Sequence, residues 1–402
     1  MRRGVNGFVP ERLVQVLEVR RLSQSTLASM VGVSPTTISN WRSGAQTPAP
    51  DALARLASVV NIEPEWFTRP TLPRSTLPLF RSNASAHVAA RAKLGSRLQW
   101  GQELAAAMED FVDFPCVALP ERNFAEPESI TQSDLEEAAD ECRALWKLGR
   151  GPIQDLMLAV EGAGVLVFRE QTDIAQIEGL SAWSHALRRP MVLLSADKDN
   201  AYRSRFDLGH EVGHLVCHRH VERTTDRDRH NMLERQAHQF AGALLLPAET
   251  FAREVPSHPT LDDLLLLKLR WGTSVAAIIM RLHALGIIDD DERLLLFKRR
   301  SARWGAKAEP HDSDRTPEAP RLLRRAIDLI VSEAVMPLEG LQRHLGFASV
   351  DIEALAGLPE GYFNGPAQVV NLARLRAEPA SRAKGTSVES NVSSQVLPFR
   401  MR

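Results

Sequence analysis

The stretch from Arg205 to His220 reads RFDLGHEVGHLVCHRH and places four histidines and two acidic residues within sixteen positions. Residues four apart lie one above the other on an α-helix, so His210 and His214 share a face. Two imidazoles in this arrangement can bind one zinc ion, and Glu211 beside them can hold a water molecule that the ion polarises. A solvated helix face rich in histidine can give the same pattern, so further residues are needed to distinguish the two interpretations.

A zinc site with two histidines needs a third protein ligand and an open position for water. Glu234 lies on the next predicted helix, twenty residues after His214, and would complete a set of two histidines and one glutamate. His220 has a spacing that some zinc proteases use, but those proteases turn the chain with a glycine where this chain has Cys217. His218 continues the helical row, yet three turns of a straight helix cannot converge on one ion. We therefore expect His218 to be satisfied by hydrogen bonds or to lie behind a ligand.

The composition is that of a globular protein, with 402 residues, 44% hydrophobic residues and 25% charged residues. This length predicts two or three domains. The formal net charge is −1, so the whole chain does not attract nucleic acid by its charge. The first seventy residues differ, because they hold eight Arg and five acidic residues, a local excess that is compatible with a DNA-binding module.

The cysteine content favours a reducing cytoplasm. Cys116, Cys142 and Cys217 are the three cysteines of the chain, and they form neither a CxxC pair nor an even disulfide framework. The N-terminal residues lack the apolar core of a signal peptide. No stretch approaches the about 18 apolar residues of a membrane span, so we expect no membrane partner.

A second informative stretch, LSQSTLASMVGVSPTTISNWRSGAQTP, covers residues 22–48. Ser23 and Ser34 can each cap a helix, and Pro35 fits the first turn of the second helix. Gly32 suits the tight turn between them, and Gly44 can end the second helix. Two short helices joined by a glycine-containing turn are the geometry of a helix-turn-helix.

This stretch resembles the XRE-type helix-turn-helix of phage repressors over about residues 9–69. In that family the second helix lies in the major groove of DNA. The resemblance implies base-edge contacts for Pro35, Thr36 and Asn40, and phosphate contacts for Gln24, Ser34 and Ser43.

Asn40 is the strongest single candidate for base recognition, because its amide can pair with adenine through two hydrogen bonds. The expected partner is double-stranded operator DNA, bound by a homodimer at two half-sites about one helical turn apart. One departure is Arg42, which stands where the family often has Glu, so a usual internal ion pair is expected to be missing. An ordinary helical bundle without DNA, or a protein-binding use of the same fold, are the alternatives.

The histidine-rich helix, followed by the pattern E..A..FAGALLLP from Glu234, resembles the ImmA/IrrE family of metallopeptidases. The strings RWGTSVAAIIMRLHALGIID and RWGAKAEP resemble the C-terminal helices of that family, so the resemblance covers about residues 150–310. It implies zinc (Zn²⁺) on His210, His214 and Glu234, with Glu211 as the general base. Gly209 replaces a commoner Ala. His238 stands where Asn or Asp is common, and is a candidate for a competing ligand or for a residue behind a ligand.

We predict a mainly helical α+β protein with a small β-sheet. The histidine-rich helix follows two predicted strands, GLSAWSH and PMVLLSA, either of which could pair with an extended substrate. Residues 298–320 are predicted to be a linker. The predicted order is a helix-turn-helix domain at 1–70, a linker and helical segment at 71–145, a zincin-like ImmA/IrrE domain at 146–310, a helical region at 311–377 and a flexible tail at 378–402.

The hypothesis that joins these features is a cytoplasmic DNA-binding transcription regulator that carries a zinc-dependent endopeptidase. Its protein substrate or partner would be a repressor or a toxin encoded nearby, or this chain itself. The main alternative is a repressor or antitoxin without proteolysis, in which the zinc fold is a sensor or a partner-binding surface. A purely structural zinc site with four closed ligands, including His238, is a third possibility.

Overall fold

The computed structural model describes residues 4–76, 88–172, 178–197, 200–222, 226–305, 307–363 and 400–401. Helices dominate these residues, and they surround a three-stranded β-sheet; a further pair of two-residue strands lies apart from it. This is the mainly helical architecture with a small sheet that the sequence predicts. No helix among the described residues is long and apolar enough to cross a membrane.

The N-terminal unit is a bundle of short helices. Its second and third helices are capped as predicted, because the side chain of Ser23 accepts the N–H of Thr26 and that of Ser34 accepts the N–H of Thr37. Gly32 adopts a φ of 73° in the turn between them, a conformation that glycine takes at little cost. The elements are α1 (Pro10–Arg20), α2 (Gln24–Val31), α3 (Pro35–Ser43), α4 (Pro50–Val60) and a 3₁₀ turn (Pro64–Thr68).

A long helix, α5 (Val88–Met108), lies between this unit and the rest of the molecule. It is part of the segment predicted only as a linker and helical segment. Polar residues are buried on it together with apolar ones, among them Arg97, Gln99 and Gln102. A helix that is covered on several sides has no single apolar stripe, which explains why the sequence pattern did not reveal it.

The sheet and the helices beside it follow. The elements are β1 (Val112–Asp113), α6 (Gln132–Leu145), α7 (Leu156–Gly162), β2 (Leu166–Glu170), β3 (Gly179–Ser184) and β4 (Arg189–Ser195). β4 is central, parallel to β2 and antiparallel to β3, so β3 is an edge strand. The two strands predicted from GLSAWSH and PMVLLSA are therefore confirmed as β3 and β4.

The sheet separates two hydrophobic cores. Side chains alternate between the faces of a strand, and Leu166 and Phe168 accordingly join the core of the N-terminal bundle, whereas Val167 joins the core of the later helices. On β4, Leu193 and Leu194 divide in the same way. The sheet is thus the shared wall between the N-terminal unit and the helices that carry the histidine-rich stretch.

The remaining helices surround the second core or return to the first. They are α8 (Ala201–Cys217), α9 (Arg227–Leu245), α10 (Ala248–Ala252), α11 (Leu261–Trp271), α12 (Val275–Ala284), α13 (Asp290–Trp304), α14 (Leu322–Ser332), α15 (Leu338–Leu345) and α16 (Ser349–Ala356). Phe347, between α15 and α16, packs against Trp66 and Trp100 with ring centroids 5.7 and 5.3 Å away. The C-terminal helices are therefore built into the N-terminal core.

One prediction needs correction. Residues 298–304, taken as the start of a linker, are the last turns of α13; Arg300 faces inward and donates to Glu309 at 2.9 Å. The predicted flexible tail at 378–402 lies outside the described residues except for Arg400 and Met401. These two form β5 (Arg400–Met401), which pairs with β1.

Candidate metal centre

Small residues set the distance between α8 and α9. Gly209 of α8 faces Ala241, and Gly213 faces Ala237, so the two helices run antiparallel. A Cβ built on Gly213 would lie 3.2 Å from the Cα of Ala237, which is tighter than ordinary packing. This close approach brings Glu234 of α9 opposite the two histidines of α8.

The histidine and glutamate side chains converge on one point. The Nε2 atoms of His210 and His214 are 3.1 Å apart. The carboxylate oxygens of Glu234 lie 3.4 Å from each of these nitrogens, and all three residues are buried. The three side chains offer ligand atoms within 4.8 Å of one another, as one ion would require.

The donor set fits a zinc ion. Two imidazole nitrogens and one carboxylate are the protein ligands of a typical catalytic zinc site. Within the described structure, Oε2 of Glu234 is buried and has no hydrogen-bond partner, and a buried acceptor without a partner is costly. A cation at the point of convergence would compensate that cost. Burial opposes the charge of Glu234, but the imidazoles of His210 and His214 beside it outweigh the burial and hold its pKa well below the usual range.

Glu211 lies beside this point, fully enclosed between α8 and the edge strand. Burial raises the pKa of Glu211 to about 7, although a hydrogen bond from Ser181 of β3 works in the opposite direction. Gly179 at the start of β3 leaves room for the carboxylate, because a Cβ there would lie 2.9 Å from Oε1 of Glu211. Sequence reasoning missed both residues of β3, since nothing in a strand pattern shows which helix residue it touches.

The other histidines are not brought into the group. His220 is exposed beyond the end of α8. His218 lies behind His214, with their Nδ1 atoms 2.9 Å apart, as expected for a residue behind a ligand. Nδ1 of His238 donates to the backbone carbonyl of Glu234 at 2.6 Å, and its ring centroid is 4.4 Å from that of His210. Among the described residues, the convergent set is therefore the one that the family resemblance implied.

A cavity of about 810 Å³ opens next to the centre. Glu178, Asp207 and His238 line both this cavity and the small space above the ligands. The walls combine apolar side chains, such as Phe206 and Met280, with several arginines. The cavity can therefore hold side chains of a molecule that reaches the centre.

The predicted DNA-contacting residues lie on the N-terminal bundle. Ser34, Pro35, Thr36 and Ser43 are exposed, and Gln24 and Asn40 are half-buried. The hydroxyl of Ser34 accepts the N–H of Thr37 at 3.1 Å and so already caps α3. Gln24 and Arg42 line one groove together with α5. The recognition helix α3 thus presents polar atoms at the surface of the described structure.

The fold and the centre define a helix-turn-helix protein that carries a metallopeptidase-like site of two histidines and one glutamate. Residues 16–67 match the family model described as Helix-turn-helix, and residues 160–283 match that described as IrrE N-terminal-like domain. No curated protein matches the chain. The chain therefore joins an XRE-type helix-turn-helix domain to an ImmA/IrrE-like domain, as its sequence predicts.

Proposed function

We propose that the protein is a cytoplasmic transcription regulator whose ImmA/IrrE-like domain is a zinc-dependent endopeptidase that cleaves a regulatory protein. The observation that supports the enzymatic half is the convergence of His210, His214 and Glu234 beside the buried carboxylate of Glu211. The helix-turn-helix match supports the DNA-binding half. In this proposal the helix-turn-helix domain spans residues 1–70 and the zincin-like ImmA/IrrE domain spans residues 146–310, with a linker and helical segment at 71–145 between them and a helical region at 311–377 and a flexible tail at 378–402 after them.

His210, His214 and Glu234 would hold the ion. A bound zinc ion would polarise the substrate carbonyl and make a water molecule more acidic. Glu211 would accept a proton from the attacking water as its oxygen bonds to the peptide carbon, and would pass that proton to the amine as the C–N bond breaks. A group that both accepts and donates a proton works best when its pKa is near the ambient pH, and burial raises the pKa of Glu211 in that direction.

The edge strand β3 offers a way to bind an extended substrate. Its Trp183 already pairs with Thr76 of the same chain, since the Thr76 N–H donates to the Trp183 carbonyl at 2.9 Å and the Trp183 N–H donates to Oγ1 of Thr76 at 2.9 Å. Toward Gly179 the strand reaches Glu211. We infer that a substrate strand adds to this edge through its backbone, with side chains in the 810 Å³ cavity.

The metal content of the purified chain tests the centre. We expect about one zinc per chain in the wild type, and its loss in Glu234→Ala with helix content retained. Zinc retained in Glu234→Ala would move the third ligand elsewhere, and no zinc in either protein would refute the centre.

Glu211→Gln tests the chemistry. It should keep zinc and lose cleavage by about 10²–10⁴-fold, the usual contribution of a general acid–base group. Cleavage of the chain itself and of repressors encoded nearby is followed by mass spectrometry. Unchanged cleavage in the variant would contradict the role of Glu211. Zinc without any cleavage, together with operator binding that changes when zinc is removed, would support the alternative of a non-proteolytic sensor.

Asn40→Ala tests DNA recognition. DNA sites are first selected from a random pool with the wild-type protein, which also shows whether two half-sites and a dimer occur. The variant should lose about 1–3 kcal/mol on the selected site and bind unrelated DNA as before, because phosphate contacts are retained. Asn40 is a better probe than Ser34, whose hydroxyl also caps α3. Equal loss on both DNAs would indicate a phosphate contact.

A further inference from the structure

A buried polar chain runs behind His214. Nε2 of His218 lies 3.1 Å from Oε1 of Gln236, and Nδ1 of His218 lies 2.9 Å from Nδ1 of His214. All three side chains are buried, with exposures of 4% for His214, 2% for His218 and 6% for Gln236. Each donor in a buried row of hydrogen-bonded side chains must face an acceptor. Once the donor and acceptor are known at one end of the row, the positions of the other hydrogens follow.

The end that fixes the direction is Gln236. Its Nε2 donates to the backbone carbonyl of Pro127 at 2.7 Å and reaches that of Ile130 at 3.4 Å. Pro127 begins a short 3₁₀ turn before α6 (Pro127–Ser129), and Ile130 follows that turn. Both carbonyls can only accept. The amide oxygen of Gln236 is therefore the atom that faces His218, and an amide oxygen also only accepts.

The hydrogens of the two imidazoles follow. Nε2 of His218 must carry the hydrogen that it donates to Gln236. A neutral imidazole has one N–H and one lone pair, and burial disfavours the doubly protonated ring, so Nδ1 of His218 holds the lone pair. That lone pair accepts from Nδ1 of His214. Nε2 of His214 is then left without a hydrogen, and it is the atom that faces His210 and Glu234.

We propose that Gln236 and His218 are positioning residues that fix the tautomer and the ring orientation of His214 for metal binding. This inference rests on the metal centre of the proposed function. His210 provides the contrast, because its Nδ1 is buried and has no hydrogen-bond partner within the described structure. The hydrogen-bonded pair of His218 and Gln236 therefore serves only His214, whereas the ring of His210 lies against that of His238, with the ring centroids 4.4 Å apart.

The test is the zinc affinity of the full-length chain, measured by competition with a chromogenic chelator. His218→Phe keeps the ring volume and removes both polar atoms. It should weaken zinc binding about 10–100-fold, the usual effect of losing the partner of a ligand. His218→Asn places Oδ1 where Nδ1 stood and restores an acceptor for His214. It should recover most of the affinity, although it fills less space.

The order of the two zinc affinities shows whether His218 positions His214 or only fills space. If His218 only fills space, Phe preserves the affinity and Asn lowers it, and this reversed order overturns the proposal. His220→Phe, on the exposed neighbour, is the matched control and should bind zinc like the wild type. Gln236→Leu provides a second route if His218→Phe does not fold, and it should also weaken binding. Wild-type affinity in that variant would refute the part played by Gln236.

A second readout does not need the metal. In zinc-free protein labelled with ¹⁵N-histidine, the ring nitrogen shifts should show His214 with its hydrogen on Nδ1, and a mixture of tautomers in His218→Phe. The opposite tautomer in the wild type would overturn the proposal, even if zinc binds. If the wild type shows the expected tautomer but holds no zinc, the metal centre itself fails and takes the proposal with it.

Discussion

Glu161, near the end of α7, holds the start of α14 through its side chain. Its carboxylate accepts the N–H of Arg321 at 2.9 and 3.0 Å and the N–H of Leu322 at 2.9 Å. The side chain is fully buried, and this burial raises its pKa from 4.5 to about 7 despite those hydrogen bonds. One residue of the ImmA/IrrE-like domain thus anchors the C-terminal helices, and its raised pKa predicts that their attachment depends on pH.

The sign of that sensitivity follows from the raised pKa. Between about pH 4.5 and pH 7 the folded state keeps a proton on Glu161 that the unfolded chain releases, so the free energy of unfolding falls as the pH rises through this window and levels off above it. The slope approaches about 1.4 kcal/mol per pH unit. Glu161→Gln cannot ionise and should lack this contribution.

Urea unfolding of both proteins at pH 5 and pH 7.5 measures the effect. Other groups titrate in the same range, so the result is the change in the difference between wild type and Glu161→Gln. We expect the wild type to lose more stability than the variant over this interval. Equal losses in the two proteins would mean that Glu161 ionises at its ordinary pH.

The α8–α9 pair offers a matched test with two glycines of the same helix. A Cβ on Gly209 would meet Ala241 at 3.4 Å, which is ordinary contact, whereas a Cβ on Gly213 would meet Phe240 at 3.1 Å and the Ala237 backbone at 3.2 Å. Gly209→Ala should raise stability by up to about 1 kcal/mol, because alanine favours the helix. Gly213→Ala should lower it, since overpacking costs about 1–3 kcal/mol.

Only Gly213→Ala should also weaken zinc binding, because separating the helices moves Glu234 away from the two histidines. Thermal unfolding in chelator gives the stability order, and chelator competition gives the affinities. If both variants bind zinc like the wild type, the spacing of the helices does not determine the geometry of the centre.

The sequence predicts the elements that depend on interactions between residues close together in the chain. The caps at Ser23 and Ser34 and the i, i+4 spacing of His210 and His214 depend on neighbours within one turn, and all could be predicted. α5 escaped prediction because contacts on several sides remove its periodicity. β5 escaped because its partner, β1, lies almost three hundred residues earlier in the chain.

The residues of the centre also fall into those that the sequence predicts and those that only the structure shows. Its two helical histidines can be found from spacing, and Glu234 from the family resemblance. Ser181, Gly179 and Gln236 contact the centre only through tertiary packing. No pattern in the neighbouring sequence indicates those contacts. The residues that affect the pKa of Glu211 and the orientation of His214 could therefore be identified only from the structure.

On the scale of the whole molecule, one buried arginine connects the two functional halves. Arg97 of α5 is 5% exposed and donates to Glu170 of β2 at 2.8 Å and to Asp351 of α16 at 2.6 Å. Arg20 of α1 also donates to Asp351, at 2.9 and 2.5 Å. The DNA-binding bundle, the sheet beside the metal centre and the C-terminal helices therefore share one network of charges, placed inside a continuous apolar core.

Arg97→Met should lower the free energy of unfolding by about 3–5 kcal/mol. The substitution removes the cation of a buried ion pair and leaves the carboxylate of Glu170 without its compensating charge. Arg55→Met is the matched control. Its partner Asp51 is on the same helix, α4, with both side chains about half exposed, and Nε of Arg55 also donates to the backbone carbonyl of Val31 at 3.0 Å. Because an exposed pair and one ordinary hydrogen bond contribute little, this variant should lose only about 1–2 kcal/mol. Denaturant unfolding measures the loss of stability in both variants.

Because the bundle and the sheet share this network, we expect a single unfolding transition in the wild type. A separate early transition of the bundle would show that the DNA-binding half unfolds on its own. In that case the shared core would not couple the two halves, and any effect of metal binding on DNA binding would have to pass through α5.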